Sequence, residues 1–273
     1  MNPWDATVRD VRPLLPQERL DLLAFLTALS DEEWVTSTAA PGWRVKDIAL
    51  HLLDDDLGWL SRHRDGDASG LLSGFSDHAG FIDALSAKNQ RWVDGASGLS
   101  RRVVIDLLRW SGAEADAYCS SADLQRDSHV GWASDQPVPA WLDFAREFTE
   151  RWVHQRQMRD AVGQEGTYTE DYIGTVLSTF VWGFPHQYRA QAAHGTEVDL
   201  DLDAGGHWHL HCIGDGQWML EPGPADEPAA ALVMTSEAAW RSLTAAAYDS
   251  TQVRATGPIE LTDPLLRVRG ILV

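Results

Sequence analysis

Apolar residues recur at helical spacing through roughly the first 165 positions and alternate through much of the remaining chain. In PQERLDLLAFLTALSDEEW (16–34), Leu22, Leu23, Leu26 and Leu29 keep the 3.6-residue period of a core-facing helix. RVKDIALHLLDDDLGWLSRHR (44–64) repeats it with Val45, Ile48, Ala49, Leu52 and Leu53. The stretches 81–96 and 100–122 predict two more helices, and 139–163 predicts a long one with Pro139 near its start and Gly163 as its stop. Long helices joined by Gly/Ser/Asp-rich loops predict an up-and-down bundle of about four main helices.

After Gly163 the period changes. Residues 169–191 predict one helix or two short ones, and VDLDLDAGGHWHLHCIGDGQWMLEPG (198–223) alternates between Gly-Gly and Gly-Asp-Gly turns, as a β-meander does. AALVMTS and QVRATGPI read as further strands, with EAAWRSLTAA as a helix between them. The expected fold class is α+β in two domains. A helical bundle occupies 1–165, and a small α/β domain with an antiparallel sheet occupies 166–273.

Composition narrows the function. The 273 residues carry 41 acidic against 22 basic side chains, a formal net charge of -19. Such a surface repels phosphate backbones and anionic lipid, so no nucleic-acid or membrane partner is expected. No segment approaches the ~18 apolar residues of a membrane span, and MNPWDATVRD does not have the pattern of a signal peptide. Lys46 and Lys88 are the only lysines, a bias towards arginine that suits a GC-rich bacterial genome. Cys119 and Cys212, far apart in sequence, read as two reduced thiols in a cytoplasm. The 13 tryptophans read as core or cleft walls.

The candidate chemistry is metal binding. His51 borders the apolar stripe of its helix, among Asp47, Asp54 and Asp55. Glu150 and His154 stand one turn apart on the late helix, with Glu147 as a rival carboxylate. One early histidine plus a Glu-x-x-x-His pair gives three ligands and an open position, the stoichiometry of a catalytic zinc site. The ordinary alternative is a boundary histidine and a surface Glu/His pair. His207, His209 and His211 alternate on a strand and read as its solvent-facing side, with no carboxylate clearly aimed at them. DDDL (54–57) reads as a solvated helix face, with Asp55 a candidate partner of His51. There is no phosphate-binding Gly-rich loop, no Gly-x-Ser-x-Gly and no Cys-x-x-Cys.

Two motifs carry a resemblance. APGWRVKDIALHLLDDD resembles the second-helix signature of the DinB-like N-terminal domain of mycothiol-dependent maleylpyruvate isomerases: Pro-Gly-Trp, then Asp, then a metal-binding histidine. EFTERWVHQRQMRDAVG resembles the late helix of that family, with Glu-x-x-x-His and an Arg-Asp-Ala-x-Gly end. The tail resembles the small sterol-carrier-like α/β domain that often follows this bundle. The resemblance implies a divalent metal, zinc above others, held by His51, Glu150 and His154, and it selects Glu150 over Glu147. It implies mycothiol as cosubstrate, which suits an actinobacterial source. Two positions depart from the pattern: Arg44 stands where the family has Ser or Thr, removing the side-chain half of a capping box. Gln157 stands where the family has aspartate.

In this family's chemistry the metal keeps the thiol sulfur ionised at neutral pH. Attack on a cis-enone diacid followed by bond rotation and elimination gives isomerisation; attack on a carbon bearing a leaving group or an epoxide gives an S-conjugate. The expected partners are therefore a small-molecule thiol and a small electrophile. Arg254 is a candidate cation for a substrate carboxylate, and Trp182 and His186 are candidates for lining a cleft. A surface arginine and a packed tryptophan are the plainer alternatives. Gln157 tilts the expectation towards an S-transferase. A hydrolase using metal-bound hydroxide and a non-catalytic small-molecule-binding protein stand as alternatives.

Overall fold

The computed structural model describes residues 1–72, 78–164, 166 and 169–270. The helical half forms α1 (Leu15–Ala28), α2 (Asp31–Trp34), α3 (Val45–Trp59), α4 (His78–Ala96), α5 (Arg101–Ser121) and, after a short ribbon of β1 (Asp127–Ser128) and β2 (Val138–Pro139), α6 (Ala140–Ala161). The stretch 16–34 is two helices, because Leu29 turns extended and Ser30 starts a new helix. Its hydroxyl accepts from the Glu33 amide at 3.2 Å, while the Glu33 carboxylate accepts from the Ser30 amide at 2.7 Å. At α3 the capping survives in half: the Asp47 carboxylate accepts from the Arg44 amide at 2.9 Å, and the arginine side chain gives nothing back.

By compactness the chain divides into two units. One comprises 12–122 and 151–166, the other 1–11, 123–150 and 167–273. The expected boundary near 165 falls on a residue outside those described. The split in the helical half passes through α6, between Glu150 and Arg151.

The first unit is built on the stripes legible in the sequence. Leu22, Leu26, Ile48, Leu52, Val104, Leu108 and Met158 form one apolar core. A charged cluster lies within it. Asp56 is 1 % exposed and accepts from Arg19 at 2.9 Å, from Ser111 at 2.7 Å and from Arg151. The expectation of a solvated DDDL face therefore fails for Asp56, which follows Ile48 and Leu52 on the inward stripe. Arg19 also reaches Asp116 at 2.8 Å.

Glu18 is buried beside this cluster. Its Oε1 accepts from Gln155 at 3.0 Å, and Oε2 has no hydrogen-bond partner among the described residues. Burial raises its pKa against the lowering pull of Arg151 and Arg19. A carboxyl whose pKa rises on folding adds stability below its unfolded value, and that contribution is lost as pH rises through the folded value. Glu18→Gln, which keeps the acceptor and removes the titration, is expected to match the parent near pH 4 and to exceed it in stability at pH 8. Urea midpoints at the two pH values test this; an equal difference at both refutes it.

The second unit holds α7 (Glu170–Phe180), α8 (Gly183–Gln187) and a five-stranded sheet. The strands are β3 (Glu197–Asp201), β4 (His207–Gly214), β5 (Gln217–Pro222), β6 (Ala230–Met234) and β7 (Val253–Thr256), with α9 (Ser236–Leu243) between the last two. The strand order is β5-β4-β3-β6-β7. The meander is as expected, but the sheet is mixed: β6 lies parallel to β3, and the other pairs are antiparallel. Val198, Leu200, Leu210, Cys212, Leu220 and Leu232 are buried on the inner face. Alternation put the three β4 histidines on the opposite side from Leu210 and Cys212. It missed their carboxylates. Across the strands, His207 lies 3.2 Å from Asp199, His209 lies 3.5 Å from Glu221 and His211 lies 3.7 Å from Glu197. His209 is also only 9 % exposed, so this face is a set of paired side chains and not a bare solvated edge.

Candidate metal centre

Two helices supply the site. On α3, His51 follows Ile48 by three positions and comes out at the edge of the core stripe, 4 % exposed. On α6, Asp143, Arg146, Glu147, Glu150, His154 and Gln157 fall within an arc of about 100° at the helical pitch. This polar stripe runs along a helix whose other residues are largely core. Within it, His51, Glu150 and His154 each present a ligand atom, and those atoms all lie within 4.8 Å of one another. The two imidazole rings meet edge to face with centroids 4.9 Å apart. Trp43, from the Pro-Gly-Trp segment, packs its ring 5.1 Å from that of His51.

Glu147 has a different commitment. Arg146 donates to it at 3.1 Å and to Asp143 at 3.0 Å, and both carboxylates are buried, with Ser128 donating to Asp143 at 2.6 Å. Although burial disfavours its charge, Asp143, Glu147 and Glu150 together hold the Arg146 guanidinium well above its ordinary pKa. Glu147 thus neutralises an arginine. Glu150, part-exposed and one turn before His154, is the carboxylate that joins the histidines. Neighbouring groups orient both rings. His51 Nε2 lies 3.4 Å from Asp55, and His154 Nδ1 lies 2.8 Å from Gln157 Oε1.

The donor set of two imidazoles and one carboxylate suits a divalent transition ion with a position left open. Two of its members are buried, and the third has access to solvent. Among the described residues this is the one group of three or more such donors gathered closely enough to share an ion.

Arg254, Trp182 and His186 are not members of that group. Arg254 is exposed on the edge strand β7. Trp182 packs against Trp141 with ring centroids 5.9 Å apart, and His186 lies 3.8 Å from Asp135. The last two do share an open cavity of ≈ 490 Å³, with Trp218 and Met219 among its walls. Sequence reasoning passed over Arg146, whose i−4 spacing from Glu150 was available as a signal, and it passed over Asp56.

Comparison with known proteins shows the family of the chain. The family model described as the mycothiol maleylpyruvate isomerase N-terminal domain matches residues 15–159, more than half of the chain, and the chain belongs to that family. Among solved structures it is similar to the crystal structure of the mycothiol-dependent maleylpyruvate isomerase. Identity there is 13%, 96% of this chain and 98% of that one are covered, and the TM-score is 0.57. A histidine-to-alanine mutant of that isomerase gives 12% identity, the same coverage and a TM-score of 0.58. At such identities the likeness is one of fold. No curated protein matches the sequence. No helix among the described residues is long and apolar enough to cross a membrane.

Proposed function

We propose that this protein is a metal-dependent enzyme that uses mycothiol or a related low-molecular-weight thiol as nucleophile on a small electrophile. The observation that carries the reading is the convergence of His51, Glu150 and His154 on the bundle of a family defined by a mycothiol-dependent enzyme. These three residues would hold a divalent ion, zinc by the chemistry of the donors. The ion, when bound, supplies the Lewis acidity that keeps a thiol ionised at neutral pH. Trp43 shields one side of His51, and Asp55 and Gln157 keep the rings turned towards a common point. Arg146 keeps Glu147 out of the site.

The domain reading that goes with this function is a metal-binding bundle, residues 1–165, followed by a sterol-carrier-like domain, 166–273. The extent of the family match supports the first part. In the second part, Trp182 and His186, lining their cavity, are proposed to contact substrate, and Arg254 to meet an anionic group. Of the two outcomes open to a thiol nucleophile, S-transfer is favoured over cis–trans isomerisation. The amide of Gln157 can neither hold charge nor exchange a proton as a carboxylate would. The cytoplasm, where such thiols are kept reduced, is the proposed location.

Incubating zinc-loaded protein with mycothiol and a panel of electrophiles, maleylpyruvate among them, tests the reading by mass spectrometry. S-conjugates or isomerised maleylpyruvate, formed only with both metal and thiol present, are expected. Product formed equally well without thiol overturns the reading in favour of hydrolysis, and no turnover of any member overturns it in favour of binding alone.

A further inference from the structure

We infer that Gln157 is a positioning residue that sets the charge of the metal centre, tuning it to accept an anionic sulfur ligand at some cost in metal affinity. The inference rests on the three-ligand reading above. Gln157 is 3 % exposed and its Oε1 faces His154 Nδ1 at 2.8 Å. An amide oxygen only accepts, so the tautomer that matches this contact has its proton on Nδ1 and a lone pair on Nε2 for a metal. The group that pairs with this ring is neutral.

His51 is treated differently. Its Nε2 has the carboxylate of Asp55 at 3.4 Å, a side chain that is 25% exposed although the oxygen facing the ring is buried. A divalent ion on two neutral imidazoles and Glu150 leaves one net positive charge in the inner set, which the outlying Asp55 offsets only in part. A thiolate arriving at such a centre meets a favourable charge. A carboxylate at the buried position 157 would add a full negative charge without solvent screening. It would strengthen His154 as a ligand and oppose the incoming anion. Metal affinity and thiolate affinity are thus expected to move in opposite directions when the charge at 157 changes. A residue that merely fills space or holds the helix cannot produce that pattern.

Cobalt(II), whose visible spectrum reports its ligands, and 2-mercaptoethanol, an uncharged thiol that binds as its anion, are the probes. In Gln157→Glu, cobalt is expected to bind about 10-fold more tightly, while the sulfur-to-cobalt charge-transfer band needs about 10-fold more thiol to appear. In Gln157→Leu, which leaves Nδ1–H without an acceptor, cobalt affinity is expected to fall about 10- to 100-fold. Parallel losses of both affinities in Gln157→Glu, or no change in either, overturn the inference while leaving the three-ligand site intact. Absence of stoichiometric cobalt binding in the parent overturns the site itself, and the inference with it.

Discussion

His154→Ala is expected to reduce bound zinc from about one ion per chain to a trace, with affinity falling by more than about 100-fold. That bound follows from the 10- to 100-fold cost of losing only a supporting partner of a metal ligand; losing the ligand itself costs more. His51→Ala and Glu150→Gln should behave alike, because each removes one of the three donors that lie within 4.8 Å of one another. His209→Ala is the control. It removes an imidazole of comparable burial that is already occupied by Glu221 and by the Gly223 carbonyl at 2.9 Å. Metal analysis after dialysis against a mild chelator reads all four. Zinc retained by His51→Ala and His154→Ala but lost by His209→Ala would move the site to the sheet. Far-ultraviolet circular dichroism separates loss of metal from loss of fold, since α3 and α6 do not need the ion to satisfy their backbones.

Asp56→Ala should have the largest effect on stability, a loss of about 3–5 kcal/mol. The aspartate is 1 % exposed and sits between Arg19 and Arg151, which are also buried. Removing it takes away the carboxylate shared by two guanidinium groups in an apolar core; Asp116, 2.8 Å from Arg19, and the buried Glu18 remain as counter-groups. Burial alone would raise the Asp56 pKa; Arg151, Arg19 and the Ser111 hydroxyl reverse this and hold it below the usual range. A lowered folded value gives a contribution that is complete above the unfolded value, about 3.9, and is lost as pH falls through the folded one. The gap between parent and variant in urea should therefore persist down to about pH 4 and close only in stronger acid. A loss below about 1 kcal/mol at neutral pH would mean that water reaches the cluster.

These two experiments fall on opposite sides of what the sequence made legible. The helices were readable because each carries an uninterrupted apolar stripe, and even the break at Ser30 was written in its capping pair with Glu33. The histidines were readable because α6 supplies Glu150 and His154 at a spacing that needs no tertiary information. Spacing alone left Glu147 and Glu150 open and the resemblance selected Glu150; the fold adds the physical reason, with Arg146 paired to Glu147. Asp56 was misread because an acidic run suggests solvent, and its partners lie 37 and 95 residues away. The β4 histidines were placed on the correct face, but their carboxylates depend on strand register. The parallel pairing of β3 with β6 likewise arises from a crossover that no local pattern announces.

Helix α6 is a single run of 22 residues, yet its first half groups with residues 167–273 and its second half with residues 12–122. That matters to anyone shortening the chain. A fragment ending at residue 159, where the family match stops, keeps every metal donor. It also strips Trp141 of Trp182 and Phe148 of Tyr172, rings now in edge contact at 5.9 and 5.4 Å. Those aromatic faces would meet solvent on the helix that bears the ligands. Poor solubility of the excised bundle would then report on missing neighbours, and its metal binding should be judged only in the 273-residue chain.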